Sequence, residues 1–554
     1  MTTLATAAEH LAAPDGDVSA DRPGRRQSVV GTGLLVRFAL RRDRIRLLLW
    51  FAAIVGLVVV TAASIAGMYE TPEELASYAR TVRGNTALIV QAGPGYGLDD
   101  PTMGAVMMNE LSVWTIIAVG LLSVFMMIRH TRTQEESEQA ELIRAAPVGR
   151  HAPLAAALIA TAIADTVVVA GCAVTLVVYG LSAPGSIAFG LSLFGAGLVF
   201  AGIAAVAAQV ASGSRAALGL GSVVIGVAYV VRAIGDVGNG VLTWCSPIGW
   251  AQSIRAFADE RWWVLVLPLL ATAALVAIAV ALQGRRDFGA GLIAQRPGAA
   301  AAGPRLSSPL GLAIRLQRGS VVGWAAGLGL IAFFYGIVAE QAESILEDNP
   351  EMKDFFAQLG QGSITDAFLS MSVLMMALMA TGFTISSVLR LRSEEVAGRT
   401  DGLLAAPVPR RRLGLSHLTV AIGGTLVIMA ICGLSVGAGF ALVSADAGQV
   451  VRMTVAAVVM VPAMLVFAGL ALALYGLSPK WAPVVWAAFV WALVAGMLAS
   501  VLNLPDRVLD LSPFQHVPAL PADSMAWAPV VGLLVVAAAL MAVGLWALDR
   551  RDMS

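Results

Sequence analysis

Long apolar runs dominate the sequence, and each is long enough to form a membrane-crossing helix. A helix that spans the hydrocarbon core of a bilayer needs about 20 mainly apolar residues. Hydrophobic residues make up 58% of the chain and charged residues 13%, whereas about a quarter of a soluble domain is charged. The sequence therefore predicts an all-α integral membrane protein embedded in a lipid bilayer. Its 554 residues contain twelve candidate transmembrane helices, near residues 47–68, 111–128, 154–181, 186–211, 216–235, 263–283, 321–339, 367–389, 415–445, 453–476, 481–503 and 527–548.

Positive charge is concentrated in alternate connections between these runs. With the N-terminus in the cytoplasm, 28 of the 36 lysine and arginine residues lie on the cytoplasmic side, as the positive-inside rule requires. We therefore expect a multi-pass protein of the inner (plasma) membrane with both termini cytoplasmic. Residues 1–30 are polar and charged, so they predict a cytoplasmic tail and no cleaved signal. The net charge of zero argues against a nucleic-acid partner, which requires a basic surface.

An internal repeat divides the chain. Arg132–Arg150 (RTQEESEQAELIRAAPVGR) aligns without gaps on Arg392–Arg410 (RSEEVAGRTDGLLAAPVPR), with seven of nineteen positions identical. The sequence RRD occurs at Arg285 and again at Arg550. Six runs in each half give two tandem halves in parallel orientation, related by a pseudo-two-fold axis along the membrane normal. The predicted divisions are a disordered cytoplasmic tail at 1–30, a first six-span half at 31–290, a cytoplasmic linker at 291–310 and a second six-span half at 311–554.

The repeated segment follows the second run of each half and is the best candidate for a functional site. Its first part is charged and helix-prone, and the proline of Ala-Ala-Pro-Val ends the helix before the next run. A short charged helix beneath the membrane suits the docking of another protein, and a solvated loop is the alternative. The candidate docking residues are Arg132, Glu135, Glu136, Glu138, Glu141, Arg144, Pro147 and Arg150, then Arg392, Glu394, Glu395, Arg399, Asp401, Pro407 and Arg410.

Motifs for nucleotide binding and catalysis are missing from the sequence. A phosphate-binding loop requires a lysine after glycines, but the two lysines, Lys353 and Lys480, stand in EMKD and SPKW. The five histidines are scattered and the three cysteines lie among apolar residues. We therefore expect no metal site and no catalytic residues, and we expect that the chain is not itself an enzyme.

Two features of the apolar runs suggest a substrate path. Asp165 lies near the middle of the third run, where an ionised carboxylate costs about 2.5 to 3.5 kcal/mol and usually faces the interior of a bundle. Methionines, dense around the second and eighth runs, are flexible enough to accept apolar ligands of different shapes. Ordinary helix packing is the alternative for both features. The candidates are Asp165, Met107, Met108, Met371, Met375 and Met379.

Basic amphipathic stretches precede the first run of each half, at Gly33–Arg46 and Gly311–Arg318. Such segments lie in the membrane interface, and an ordinary juxtamembrane anchor is the alternative. The connections Asp236–Arg261 and Leu504–Asp523 are apolar but too broken to cross the membrane.

The segment Arg392–Arg410 resembles the signature that follows the second span of ABC type-2 exporter permeases. The double-length, alanine-rich chain is similar to the actinobacterial exporters of polyketide antibiotics, of the tetronasin type. This resemblance implies a coupling helix that docks a separate ATPase subunit, present in two copies, which binds ATP and Mg; this chain then needs no cofactor. It also implies short re-entrant outer helices and an important glutamate, Glu135 in the first half and Glu394 or Glu395 in the second. The first copy has Glu138 and Gln139 where the second has Gly398 and Arg399, so we expect two unequal docking sites.

These features predict the permease subunit of an ATP-driven exporter of hydrophobic small molecules, such as polyketide antibiotics and drugs. The subunit would couple ATP hydrolysis in its partner to alternating access. A proton-coupled secondary multidrug transporter is the main alternative, because major facilitator proteins also have twelve spans in two parallel halves. Those proteins normally carry a GxxxDRxGR-type loop after the second span, where this chain has paired glutamates and Ala-Ala-Pro-Val. A membrane scaffold without transport is a third possibility.

Overall fold

The apolar runs form helices in the part of the chain that the structure describes. The computed structural model describes residues 27–69, 71–83, 85–137, 141, 146–286, 289–293, 300–301, 303–339, 363–405, 407–497 and 505–551. These residues contain α-helices and short 3-10 turns and no β-strand. The chain forms two compact units, Met1–Pro297 and Gly298–Ser554. It is an integral membrane protein of the all-α class.

The first unit contains ten α-helices among its described residues. They are α1 (Thr32–Met68), α2 (Pro72–Val82), α3 (Thr86–Ala92), α4 (Met103–Arg129), α5 (Arg132–Glu136), α6 (Ala152–Val178), α7 (Ala183–Val210), α8 (Ser214–Val237), α9 (Pro247–Ser253) and α10 (Val266–Arg285). The centre of the unit is formed by α4 and α7, which are the most buried of its long helices.

The second unit has nine α-helices among its described residues. They are α11 (Pro309–Val338), α12 (Ile364–Val396), α13 (Arg399–Leu404), α14 (Arg410–Ser444), α15 (Gly448–Val459), α16 (Val461–Leu477), α17 (Val484–Met497), α18 (Asp506–Leu509) and α19 (Trp527–Arg550). The pair α15 and α16 together make one span. Gly476 and Gly544 let α16 and α19 approach closely, because a Cβ atom on Gly476 would lie 2.5 Å from the carbonyl oxygen of Gly544.

Eleven helical segments within the described ranges are long and apolar enough to cross a bilayer. They match eleven of the twelve predicted runs. At the remaining run, 481–503, the structure has α17, which is apolar but only 14 residues long. Residues 498–504 lie outside the described residues. The twelfth crossing helix therefore stays a prediction.

Helix α1 joins the basic stretch at Gly33–Arg46 to the first apolar run without a break. At 1.5 Å per residue its 37 residues extend about 55 Å, beyond a hydrocarbon core of about 30 Å. Asp43 holds the basic part of α1 against the end of α4. Its buried carboxylate lies 2.9 Å from Arg129 Nε and 2.8 Å from His130 Nε2.

The last residues of the segment predicted to be a tail are folded against the first unit. Residues Gln27–Val29 form a 3-10 turn. The carbonyl oxygens of Ser28 and Val30 accept hydrogen bonds from the backbone N–H groups of His151 and Gly149, at 2.9 and 3.0 Å. These bonds attach the chain near residue 30 to the end of the first repeated loop. Residues 1–26 lie outside the described part of the chain.

Candidate functional site

The first repeated loop begins with α5, which follows α4 after a two-residue turn. Its first residue, Arg132, is buried although it is charged, with 1% of its side chain exposed. The guanidinium group donates to the carbonyl oxygens of Ser212 (2.5 Å), Gly289 (2.8 Å) and Ala290 (3.1 Å) and to Glu135 Oε2 (2.7 Å). Arg132 thereby connects α5 to the ends of the fourth and sixth spans.

Glu135 points into the protein and forms a largely buried ion pair with Arg286. Arg286 Nη2 lies 2.5 Å from Glu135 Oε1, and Nη1 lies 2.9 Å from Oε2. This two-point geometry is the strong form of an arginine–carboxylate contact. Arg286 also donates from Nε to Gln209 Oε1 at 2.7 Å. The contact ties the repeated loop to the chain just after the sixth span.

Glu136 binds the start of the fifth span. Its carboxylate accepts hydrogen bonds from the backbone N–H of Ser214, at 2.8 Å, and from the Ser214 hydroxyl. Ser214 is the first residue of α8, whose own N-cap residue is Gly213. A carboxylate satisfies the free N–H groups of a helix start and interacts favourably with its dipole.

The remaining docking candidates of the first half are exposed or lie outside the described residues. Glu141 and Pro147 are exposed, and Arg150 donates to the carbonyl oxygens of Gln283 (3.3 Å) and Gly284 (3.5 Å) near the end of α10. Glu138 and Arg144 lie outside the described residues.

Glu395 in the second half makes the counterpart of the Glu135 contact. Arg551 Nη2 lies 2.9 and 2.8 Å from its two carboxylate oxygens. The hydroxyl of Tyr475 donates to Oε2 at 2.5 Å, and the guanidinium of Arg551 stacks 4.7 Å above the Tyr475 ring. Glu135 aligns with Glu395, and Arg286 and Arg551 are each the second arginine of an RRD sequence. The sequence did not decide whether Glu394 or Glu395 corresponds to Glu135. The contacts of Glu395 are the ones that match those of Glu135.

Glu394 forms a separate ion-pair cluster on the same loop. Its oxygens lie 2.7 Å from Arg390 Nη2 and 2.5 Å from Arg399 Nε. The hydrogen bond from Arg399 to this carboxylate raises the pKa of the Arg399 guanidinium. Arg399 stands at the start of α13, so Glu394 joins the end of α12 to the next helix.

The other candidates of the second half differ in exposure. Asp401 and Pro407 are exposed, and Arg410 donates to the carbonyl oxygen of Arg551 at 2.6 Å. Arg392 is half-buried, and its Nε has no hydrogen-bond partner among the described residues. The Nε of its counterpart, Arg132, likewise has no partner among the described residues, although the two terminal nitrogens of Arg132 are bonded.

Asp165 lies in the interior of the first unit. Its side chain is fully buried on α6, and Oδ2 accepts a hydrogen bond from Ser123 Oγ at 2.9 Å. Oδ1 has no partner among the described residues. In the second unit Thr425 aligns with Asp165, and its hydroxyl lies 2.7 Å from that of Thr384. Both units thus place a polar contact between their second and third spans, but only the first has an acid there.

The methionine candidates occupy different environments. Met107 and Met108 are buried in the core of the first unit, as ordinary packing requires. Met371 is half-buried, and the sulfur of Met375 accepts a hydrogen bond from Tyr335 at 3.4 Å. Met379 is 39% exposed.

A buried polar cluster surrounds Arg232, a residue that the sequence did not single out. Arg232 is fully buried on α8 and lies 3.2 Å from Asp236 Oδ2. It also donates to the carbonyl oxygens of Val90 (2.7 Å) and Ile89 (3.4 Å) on α3. The four-residue spacing of Arg232 and Asp236 could have predicted this ion pair, because residues four apart share one helix face.

The apolar helices define the class of the chain, a multi-pass membrane protein. Comparison with known proteins gives its family. Residues 306–548 match the family described as multidrug efflux system permease Rv1217c, C-terminal domain. The chain is 38% identical over 534 residues to the multidrug efflux system permease protein Rv1217c of Mycobacterium tuberculosis strain H37Rv, covering 96% of each protein. The chain belongs to this family of multidrug efflux permeases. This confirms the prediction of an efflux permease.

Proposed function

We propose that the chain is the membrane-spanning subunit of an ABC type-2 exporter. In this proposal two copies of a separate ATPase subunit bind ATP and Mg at the cytoplasmic side of the inner membrane, where both termini of the permease lie. The permease itself is not an enzyme. The observation that carries the proposal is the pair of matching contacts, Glu135 with Arg286 and Glu395 with Arg551, which join the repeated loops to the last spans.

The first loop has the contacts needed to transmit movement. Arg132, Glu135 and Glu136 bind the connection after the fourth span, the segment after the sixth span and the start of the fifth span. A displacement of α5 would therefore move several span ends together. A partner that pushes on this loop when it closes around ATP could drive alternating access in this way.

The buried and the exposed residues of the loops have separate roles in the proposed mechanism. Glu135, Glu394 and Glu395 have at most 13% of their side chains exposed and are bonded within the chain, so they transmit force. Exposed residues such as Glu141 and Asp401 provide the docking surface. In the first loop, Glu136 accepts a hydrogen bond from Ser214 at the start of α8. The aligned residue of the second loop, Val396, is 78% exposed. The two loops are therefore expected to couple unequally.

The transported compounds are proposed to be hydrophobic drugs, including polyketide antibiotics. The similar protein from Mycobacterium tuberculosis is named a multidrug efflux permease, and the spans of this chain are almost wholly apolar. A proton-coupled secondary multidrug transporter is the second candidate. It is favoured by one observation, the fully buried Asp165 with an unpartnered carboxyl oxygen.

Reconstitution in liposomes separates these two functions. The permease is tested alone, with a co-purified ATP-binding cassette subunit, and with a variant of that subunit that cannot hydrolyse ATP. We expect drug transport only with the active subunit and ATP, and we expect it to persist when a protonophore removes the proton gradient. Transport by the permease alone that follows the proton gradient would establish the second function instead.

A further inference from the structure

A groove of about 830 Å³ opens beside the first turns of α11 in the second unit. One side is formed by the 3-10 turn Pro304–Leu306 and the other by α11 itself. Its lining combines the apolar side chains of Leu306, Leu310 and Ile314 with two basic residues, Arg315 and Arg318. The lining contains no acidic residue.

A buried residue, Gln317, fixes which side of α11 faces the core of the second unit. Gln317 Oε1 accepts a hydrogen bond from Ser387 Oγ at 2.5 Å, and Gln317 Nε2 lies 3.2 Å from His417 Nδ1. Arg315 and Arg318 are three positions apart and share one face of α11, and Ile314 beside them is also exposed. Both arginines are exposed, and neither forms an ion pair or hydrogen bond with a described residue.

The position of the groove along α11 corresponds to the headgroup level of a membrane. From residue 321 to its end at Val338 the helix extends about 27 Å, close to the hydrocarbon thickness of about 30 Å. Arg315 and Arg318 lie one to two turns before this apolar part. Leu310 and Ile314 are 37% and 51% exposed and lie beside the arginines.

We propose that this groove binds an anionic phospholipid. Arg315 and Arg318 hold the phosphate, since arginine pairs well with phosphate oxygens. Leu306, Leu310 and Ile314 cover the apolar part of the lipid next to its headgroup. Basic residues at the membrane surface attract such anionic headgroups. This site is independent of the coupling mechanism proposed above.

Lipid binding is tested by native mass spectrometry of the full-length, delipidated protein in detergent. The probes are phosphatidylglycerol, which is anionic, and phosphatidylcholine, which is neutral overall. We expect one retained phosphatidylglycerol and no equivalent phosphatidylcholine. The double variant Arg315→Gln/Arg318→Gln should bind phosphatidylglycerol about thirtyfold more weakly, given the usual contribution of two arginines at a membrane surface. Arg315→Lys/Arg318→Lys should retain most of the binding.

The matched control is Arg411→Gln/Arg412→Gln, which removes two exposed charges from the start of α14, outside the groove. It should leave phosphatidylglycerol binding unchanged. Equal losses in the two glutamine variants would overturn the proposal, because binding would then reflect general charge. Equal retention of phosphatidylcholine would also overturn it. Displacement of the lipid by equimolar inorganic phosphate would show a site for a free anion instead.

Discussion

Arg286 donates to both carboxylate oxygens of Glu135, at 2.5 and 2.9 Å, and thereby joins the segment after the sixth span to the loop after the second. Arg551 and Glu395 make the corresponding contact in the second unit. Both contacts involve residues that are less than 15% exposed. The glutamates Glu135 and Glu395 therefore form ion pairs within the permease itself.

The Glu135–Arg286 pair is expected to contribute to the stability of the first unit. Glu135→Ala should lower the free energy of unfolding by about 3 kcal/mol, because it leaves Arg286 as a buried charge with an incomplete set of partners. The double variant Glu135→Ala/Arg286→Ala should lose less than the sum of the two single variants. Unfolding in detergent measures this coupling, and strictly additive losses would mean that the pair contributes nothing.

Glu136 is expected to stabilise the start of α8. Glu136→Ala removes acceptors for the Ser214 N–H and hydroxyl, and the loss of such a helix cap costs about 1 kcal/mol. Glu136→Gln keeps one oxygen acceptor and should retain most of the stability. The same unfolding measurement compares the two variants. Equal losses in both would assign the effect to charge rather than to capping.

Glu141 is expected to act in docking rather than in transmission. It is exposed on the first loop, so Glu141→Lys should weaken co-purification of the ATPase subunit by about tenfold without changing the stability of the permease. Glu135→Gln should leave co-purification intact, because Glu135 is bonded inside the protein. A loss of co-purification only in Glu135→Gln would reverse these roles.

Asp165 distinguishes the two energy sources. Asp165→Asn keeps the shape of the side chain and its contact with Ser123 but removes the titrating carboxyl group. An ATP-driven exporter should retain at least about half of its transport in this variant, since packing is nearly unchanged. Transport assays in liposomes at two pH values check this. Complete loss of transport at both pH values would favour proton coupling.

The apolar runs predicted most of the spans because a bilayer requires each crossing helix to be long and continuous. Helix ends were harder to predict, because contacts such as that between Asp43 and Arg129 extend helices beyond the apolar residues. The repeat identified Glu135 and Glu395 as candidates. Their side chains point into the protein because each pairs with an arginine that is more than 150 residues away along the chain. The duplicated RRD was the sequence signal for those partners. Arg232 was missed because its burial depends on carbonyl groups of α3.

In the proposed mechanism the glutamates of the loops transmit ATP-driven movement to the spans. The most direct test of this transmission is the number of drug molecules transported per ATP hydrolysed in liposomes that contain the permease and its ATPase subunit. We expect Glu135→Gln/Glu395→Gln to lower this ratio at least about tenfold while ATP hydrolysis continues. The control Asp549→Asn, an exposed acid at the end of α19, should leave the ratio unchanged. A wild-type ratio in the double glutamine variant would show that these glutamates do not transmit the movement.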